Sequence, residues 1–218
     1  MPSSPPEHLE ITEQDEAPEG RSGDRRLRAR PLDLANYLEG RGAELAEAWT
    51  SDIVSRELGQ GTVYDRVVGR FVSRFTDLLP WLVGPHASHV QPLWDRAAEL
   101  FGAMSAKRGL AAGEVIEEFQ ILRDLLIRMI FREPCPEGPL SLRDILRLNR
   151  IVDTGVTHAS VGHTDALFFQ YLESEDTAVH ASAEEIIDEA DRQLALIEEE
   201  LIQIVGVAPV ASGHPLGN

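Results

Sequence analysis

The sequence predicts an all-α protein, a helical bundle of about five helices followed by a C-terminal helix with a heptad pattern. Three observations carry that expectation. Apolar residues recur at spacings of three and four over most of residues 31–205, the period of a helix with one buried face. No stretch alternates apolar and polar residues as a half-buried strand does. Breaks rich in Gly and Pro fall between the periodic stretches and cut them to helix length.

Residues 1–30 are expected to be a disordered tail. Pro2, Pro5, Pro6 and Pro18 interrupt regular structure, and apolar residues there are sparse. A first helix over about 32–58 follows from Leu34, Leu38, Leu45, Ala48, Trp49 and Ile53, with Gly59 and Gly61 as its stop. Thr62 can cap a second, striped by Val67, Phe71, Phe75, Leu78 and Leu82 and broken at Gly84-Pro85. Val90, Trp94, Ala97, Phe101 and Met104 line a third, ended by Gly109. The fourth shows an apolar face of Val115, Phe119, Leu122, Leu126, Met129 and Ile130.

Residues 132–140 read as a loop. Ser141, with Asp144 three residues on, then resembles a capping box and opens a long helix reaching about 173. The last helix, roughly 176–205, sets Ile187, Ala190, Leu194, Ile197, Leu201 and Ile204 at 3-4-3-4-3 spacing, a heptad seam among acidic residues. The expected organisation is a tail over 1–30, a helical domain over 31–173, an acidic coiled-coil-like helix over 174–205, and a second disordered tail over 206–218.

Charge narrows the partners. The chain has 218 residues, with 37 acids against 20 bases and a net charge of −17. A nucleic-acid binder needs a basic footprint, so DNA and RNA are not expected. Residues 173–205 hold 11 of the acids and one base, Arg192, which marks that segment as a solvated helix or a docking surface. No apolar run approaches the roughly 20 residues of a membrane span. With one cysteine and no signal-peptide pattern, the expected compartment is the cytoplasm.

Catalytic patterns are missing from the sequence. It has no G-x-x-x-x-G-K loop, no H-E-x-x-H, no G-x-S-x-G and no paired acid-histidine set of the di-iron kind. No metal or other cofactor is expected. His86 and His89 share a helix face without a third ligand, so a surface pair is the plainer reading. His163 falls on the stripe Val152, Val156, Ala159, His163, Leu167. It is either a core-edge histidine with one hydrogen bond or a ligand-contacting, pH-responsive one. Gly155 and Gly162 lie two turns apart on the same helix, with His158 between them. Each mid-helix glycine costs about 1 kcal/mol against alanine, so something packs close there: a neighbouring helix, a small ligand or a dimer mate. Gly155, His158, Gly162 and His163 are therefore the candidate ligand-binding residues.

Three stretches carry a resemblance. They are Glu44-Leu45-Ala46-Glu47-Ala48-Trp49, the run from Gly113 to Arg123 (GEVIEEFQILR), and the run from Leu140 to Arg150 (LSLRDILRLNR). Together they resemble the N-terminal domain of RsbT co-antagonist proteins of the RsbRD type, which also stands at the front of bacterial sensor histidine kinases. The similarity spans roughly 35–172. It implies a helical sensory or regulatory input domain, usually dimeric, wired to an output module, and it supplies no ligand residues to carry over. On that resemblance a kinase module or a STAS domain is expected after the helical region, and residues 206–218 carry the pattern of neither.

The function expected is thus a non-enzymatic bacterial signalling or sensory module. It would dimerise through contacts that include the seam Ile187, Ala190, Leu194, Ile197, Leu201 and Ile204 and the fifth helix, in the parallel arrangement the resemblance favours, and regulate a partner such as a histidine kinase or a stress-response complex. The alternative is a small-molecule-binding sensor with a pocket in the bundle.

Overall fold

A computed structural model describes residues 31–56, 62–133, 135, 138–175 and 183–206. The expected tails over 1–30 and beyond 206, and the Gly59 and Gly61 stop, lie outside the described residues. Six α-helices make up the fold: α1 (Pro31–Arg56), α2 (Thr62–Val83), α3 (Ala87–Lys107), α4 (Ala112–Arg132), α5 (Leu142–Glu175) and α6 (Ala183–Gly206). No strand occurs among the described residues. The all-α expectation holds, with boundaries within a few residues where they are described; the expected start of the last helix near 176 lies outside the described residues.

The breaks fall where the backbone chemistry puts them. Gly109 adopts φ +82° between α3 and α4, a left-handed turn that glycine takes without steric cost. Ahead of α5 the Ser141 hydroxyl and amide both donate to the Asp144 carboxylate, at 2.6 and 3.0 Å. The Asp144 amide faces the Ser141 Oγ at 3.3 Å in return. These bonds satisfy donors that the first turn of a helix otherwise leaves open.

The predicted stripes of α1 to α4 turn inward. An aromatic cluster forms the centre, with Phe75 of α2 as its hub. Its ring centroid lies 4.9 Å from Trp94, 5.4 Å from Phe119 and 5.7 Å from both Trp49 and Phe101. These pairs are tilted or edge-to-face, the arrangements the aromatic quadrupole favours. Trp49 also donates its indole N–H to the Glu118 carbonyl at 2.8 Å, so α1 is fixed to α4 by a buried hydrogen bond as well as by packing. One core cluster takes in residues of all six helices, from Leu34 to Leu201.

The closest helix contact is between α3 and α5, and glycine makes it possible. A Cβ on Gly102 would sit 1.8 Å from the Ala159 carbonyl oxygen, and one on Gly162 would sit 1.9 Å from that of Glu99. Here backbone meets backbone, which only a residue without a side chain permits. At Gly155 the same construction lands 2.6 Å from Phe119 Cε1 and 3.1 Å from Trp94 Cζ2. The neighbours foreseen for Gly155 and Gly162 are therefore helices α3 and α4, and Gly102 is the third member of the notch.

Alanine at Gly102 or Gly162 has to push two backbones apart. Each variant is expected to lose at least about 1–3 kcal/mol of unfolding free energy. Gly42 lies mid-helix in α1 with nothing within 4 Å of a new methyl, so Gly42→Ala should gain up to about 1 kcal/mol from propensity alone. Urea unfolding of the three variants separates the two effects.

Candidate interaction surface

The four residues proposed from sequence as ligand contacts do not gather around a cavity. Gly155 and Gly162 serve the helix contacts just described. His163 is buried, and its Nε2–H donates to the Leu110 carbonyl at 2.7 Å. It thereby ties α5 to the turn after α3 and is the core-edge histidine with one hydrogen bond. His158 is half-buried. Its Nδ1 lies 2.7 Å from Glu99 Oε1, and its Nε2 lies 3.6 Å from Asp95 Oδ2. The imidazole clasps two carboxylates one turn apart on α3. Of the four, only Gly162 borders a groove, between α3, α6 and the far end of α5. His86 stacks edge-on against Trp81, and His89 is exposed beside Ser88. No group of three or more His, Cys, Asp or Glu among the described residues could hold a metal ion.

The α6 seam requires a correction. Ile187, Ala190, Leu194, Ile197 and Leu201 are buried, and Ile204 is partly buried, all in the chain's own core. The face expected to meet a second copy is covered by α2 and α3. Electrostatics explains why an acidic helix docks there. Arg70 pairs with Asp191, Arg74 with Glu198 at 2.6 Å, and Arg96 with Glu200 at 2.9 Å. These arginines precede their partners by more than a hundred positions, so local sequence shows the acids without the bases that meet them.

One carboxylate at this junction is held off its ordinary value. Burial raises the pKa of Asp77 above 3.8, Arg74 beside it pulls the value down, and Glu198 pushes it further up.

The outward face of α5 has a different character. Leu142, Leu146, Arg150, Asp153, Thr157, Val161, Thr164, Phe168 and Tyr171 follow one another at spacings of three and four, and all are exposed. Arg150 and Asp153 are the only charges on this line, and Asp153 already accepts a bond from Arg123 of α4. Thr157 and Thr164 donate their hydroxyls to carbonyls one turn back, at 2.9 and 2.8 Å. That leaves the line poor in polar groups that need water. From Thr164 to Leu172 every side chain except Ala166 is exposed, including Phe168 and Phe169, each at 59%. The stripe read from sequence thus loses its cover after His163, and Leu167 points out of the bundle at 46% exposure.

At the other end of α5 lies an apolar cleft of about 180 Å³ between α4 and α5, lined mainly by Leu126, Ile127, Ile130, Ile145, Leu148 and Val152. Phe131, Leu142 and Leu146 stand exposed beside it. The sequence reading missed this surface because it took every helical stripe as a buried one. The signal available was a second line on the same helix with only two charged residues.

No protein-family model, curated protein or solved structure matches the chain. Among the described residues no helix is long and apolar enough to cross a membrane.

Asp77 gives a pH test of the α6 junction. Its folded pKa lies above its unfolded one, so the folded state holds the extra proton. The Asp77 contribution therefore grows more favourable as pH falls through the raised value toward 3.8. Asp77→Asn should remove that component and leave the melting temperature less dependent on pH over the same window. A pH series of melts on both proteins measures the difference.

Proposed function

We propose that the chain is a non-enzymatic bacterial signalling module that dimerises and regulates a partner protein, in the manner of the RsbRD-type input domains it resembles. The observation that carries the reading is the outward face of α5, about 45 Å of helix surface with exposed apolar groups at both ends. Exposed apolar area of that extent marks a contact surface. Three polar contacts inside the bundle support the same reading, because they hold helices and turns together. His163 braces the turn after α3, Trp49 bonds α4, and Arg108 lies 4.0 Å from Glu118 in the interior.

Capture with the intact chain from its native host is expected to enrich a histidine kinase or a stress-response regulator. Adding purified chain should then change that protein's phosphorylation or its binding to its own targets. Enrichment of neither, or no change in output, overturns the proposal.

The α4–α5 cleft favours a second reading, a sensor for a small apolar molecule. Dry cavities lined by Leu, Ile and Phe and of about 150 Å³ take up benzene-sized guests. The cleft replaces the pocket expected near His158 and His163. On this reading indole raises the melting temperature of the intact chain, and Ile127→Trp, which fills the cleft, abolishes the rise. An equal rise in both proteins excludes it.

A further inference from the structure

We propose that two copies of this chain pair antiparallel along α5, each copy's apolar overhang covering the other's α4–α5 cleft. The inference deepens the dimeric module proposed above and rests on that reading for its purpose, while its geometry stands on the surface of α5.

The first support is the outward line itself. A helix facing water normally carries charge there, and this chain has acids in excess. Yet between Leu142 and Tyr171 the line holds one arginine and one aspartate. Elsewhere the chain's net charge of −17 opposes a second copy; along this face the opposition is smallest.

The second support is the placement of the apolar groups. Phe131, Leu142, Leu146 and the cleft lie at one end of α5, and Leu167, Phe168, Tyr171 and Leu172 at the other. A symmetric dimer presents the same patch from both copies. With the helices antiparallel and the two-fold axis near Thr157, Leu146 faces the partner's Phe168, and Leu142 faces the partner's Leu172. Both clefts are then covered. A parallel pair sets overhang against overhang and cleft against cleft, so no overhang fills a cleft. The line spans about 45 Å and is widened by the cleft rim, a size that suits burial of roughly 800 Å² a side.

Charge decides the direction independently. Of the exposed charges on α5, Arg143 and Arg150 lie in the first third and Asp165 in the last, while Asp153 is already paired with Arg123 of α4. Antiparallel pairing brings Arg150, which is exposed, beside the partner's Asp165, also exposed. Parallel pairing sets arginine against arginine and acid against acid.

The test begins with sedimentation velocity of the intact chain, which should be a dimer at tens of micromolar. Phe168→Glu should make it monomeric without changing its melting curve, because Phe168 is 59% exposed and outside the core. Arg150→Glu and Asp165→Arg should each raise the dimer dissociation constant several-fold, and the double variant should recover it. Nitroxide labels at Arg143→Cys, in a Cys135→Ser background, should lie about 40 Å apart when antiparallel, against under about 20 Å when parallel. A monomeric intact chain, a dimer indifferent to Phe168→Glu, no recovery in the double variant, or a short label distance each overturns the inference. The two readings fail separately. A monomer that still captures and modulates a signalling partner sinks the pairing alone. An antiparallel dimer that captures none sinks the signalling role alone.

Discussion

The backbone contact between α3 and α5 is the constraint on which the rest of the structure depends. Gly102 lies against Ala159, and Gly162 against Glu99, at distances no Cβ could tolerate. Helices with ordinary side chains between them sit about 8–10 Å apart, and these two are held closer. That approach fixes the axis of α5. It brings His158 onto Asp95 and Glu99 and places His163 under the Leu110 carbonyl. It also settles which side of α5 is spent on the core, and so which side is left outward.

The chain handles its acid excess by position. On α6, carboxylates are set opposite arginines of α2 and α3, so an acidic helix becomes part of the bundle. Pairs of this kind, with both groups partly exposed, contribute little energy each. The apolar seam beneath them supplies most of the attachment, since each large side chain it buries is worth roughly 1.5–3 kcal/mol. The arginines' part is to set where and in which register an acidic helix lies, by meeting its carboxylates at three points along its length. On α5 the solution is different, since the outward line carries almost no charge.

Length matters as much as pattern. At 34 residues α5 exceeds every other helix of the bundle. Its neighbours supply cover as far as His163 and not beyond. A long helix locked at its middle thus carries exposed apolar groups at both ends.

The sequence by itself determined the helices, their order and their inward faces, because a 3.6-residue period and Gly or Pro breaks are local properties. The stripes of α1 to α4 are buried nearly residue for residue, and the cap at Ser141 forms where Asp144 sits three residues on. It also marked Gly155 and Gly162 as places of close approach, since a glycine inside a helix costs stability unless something fills its place. Gly102, equally deep in the notch, carries the same mid-helix signal, but so does Gly42, which has nothing beside it, so the signal alone does not single it out. The destination of the α6 seam belonged to the tertiary structure. A heptad seam is the same whether it meets a second copy or its own bundle, and only the fold brings Arg70, Arg74 and Arg96 beneath it. The outward line of α5 was decided there too, because the residues at its two ends are as apolar as core residues. What leaves them uncovered is that α5 runs past its neighbours at one end and leaves a gap with α4 at the other.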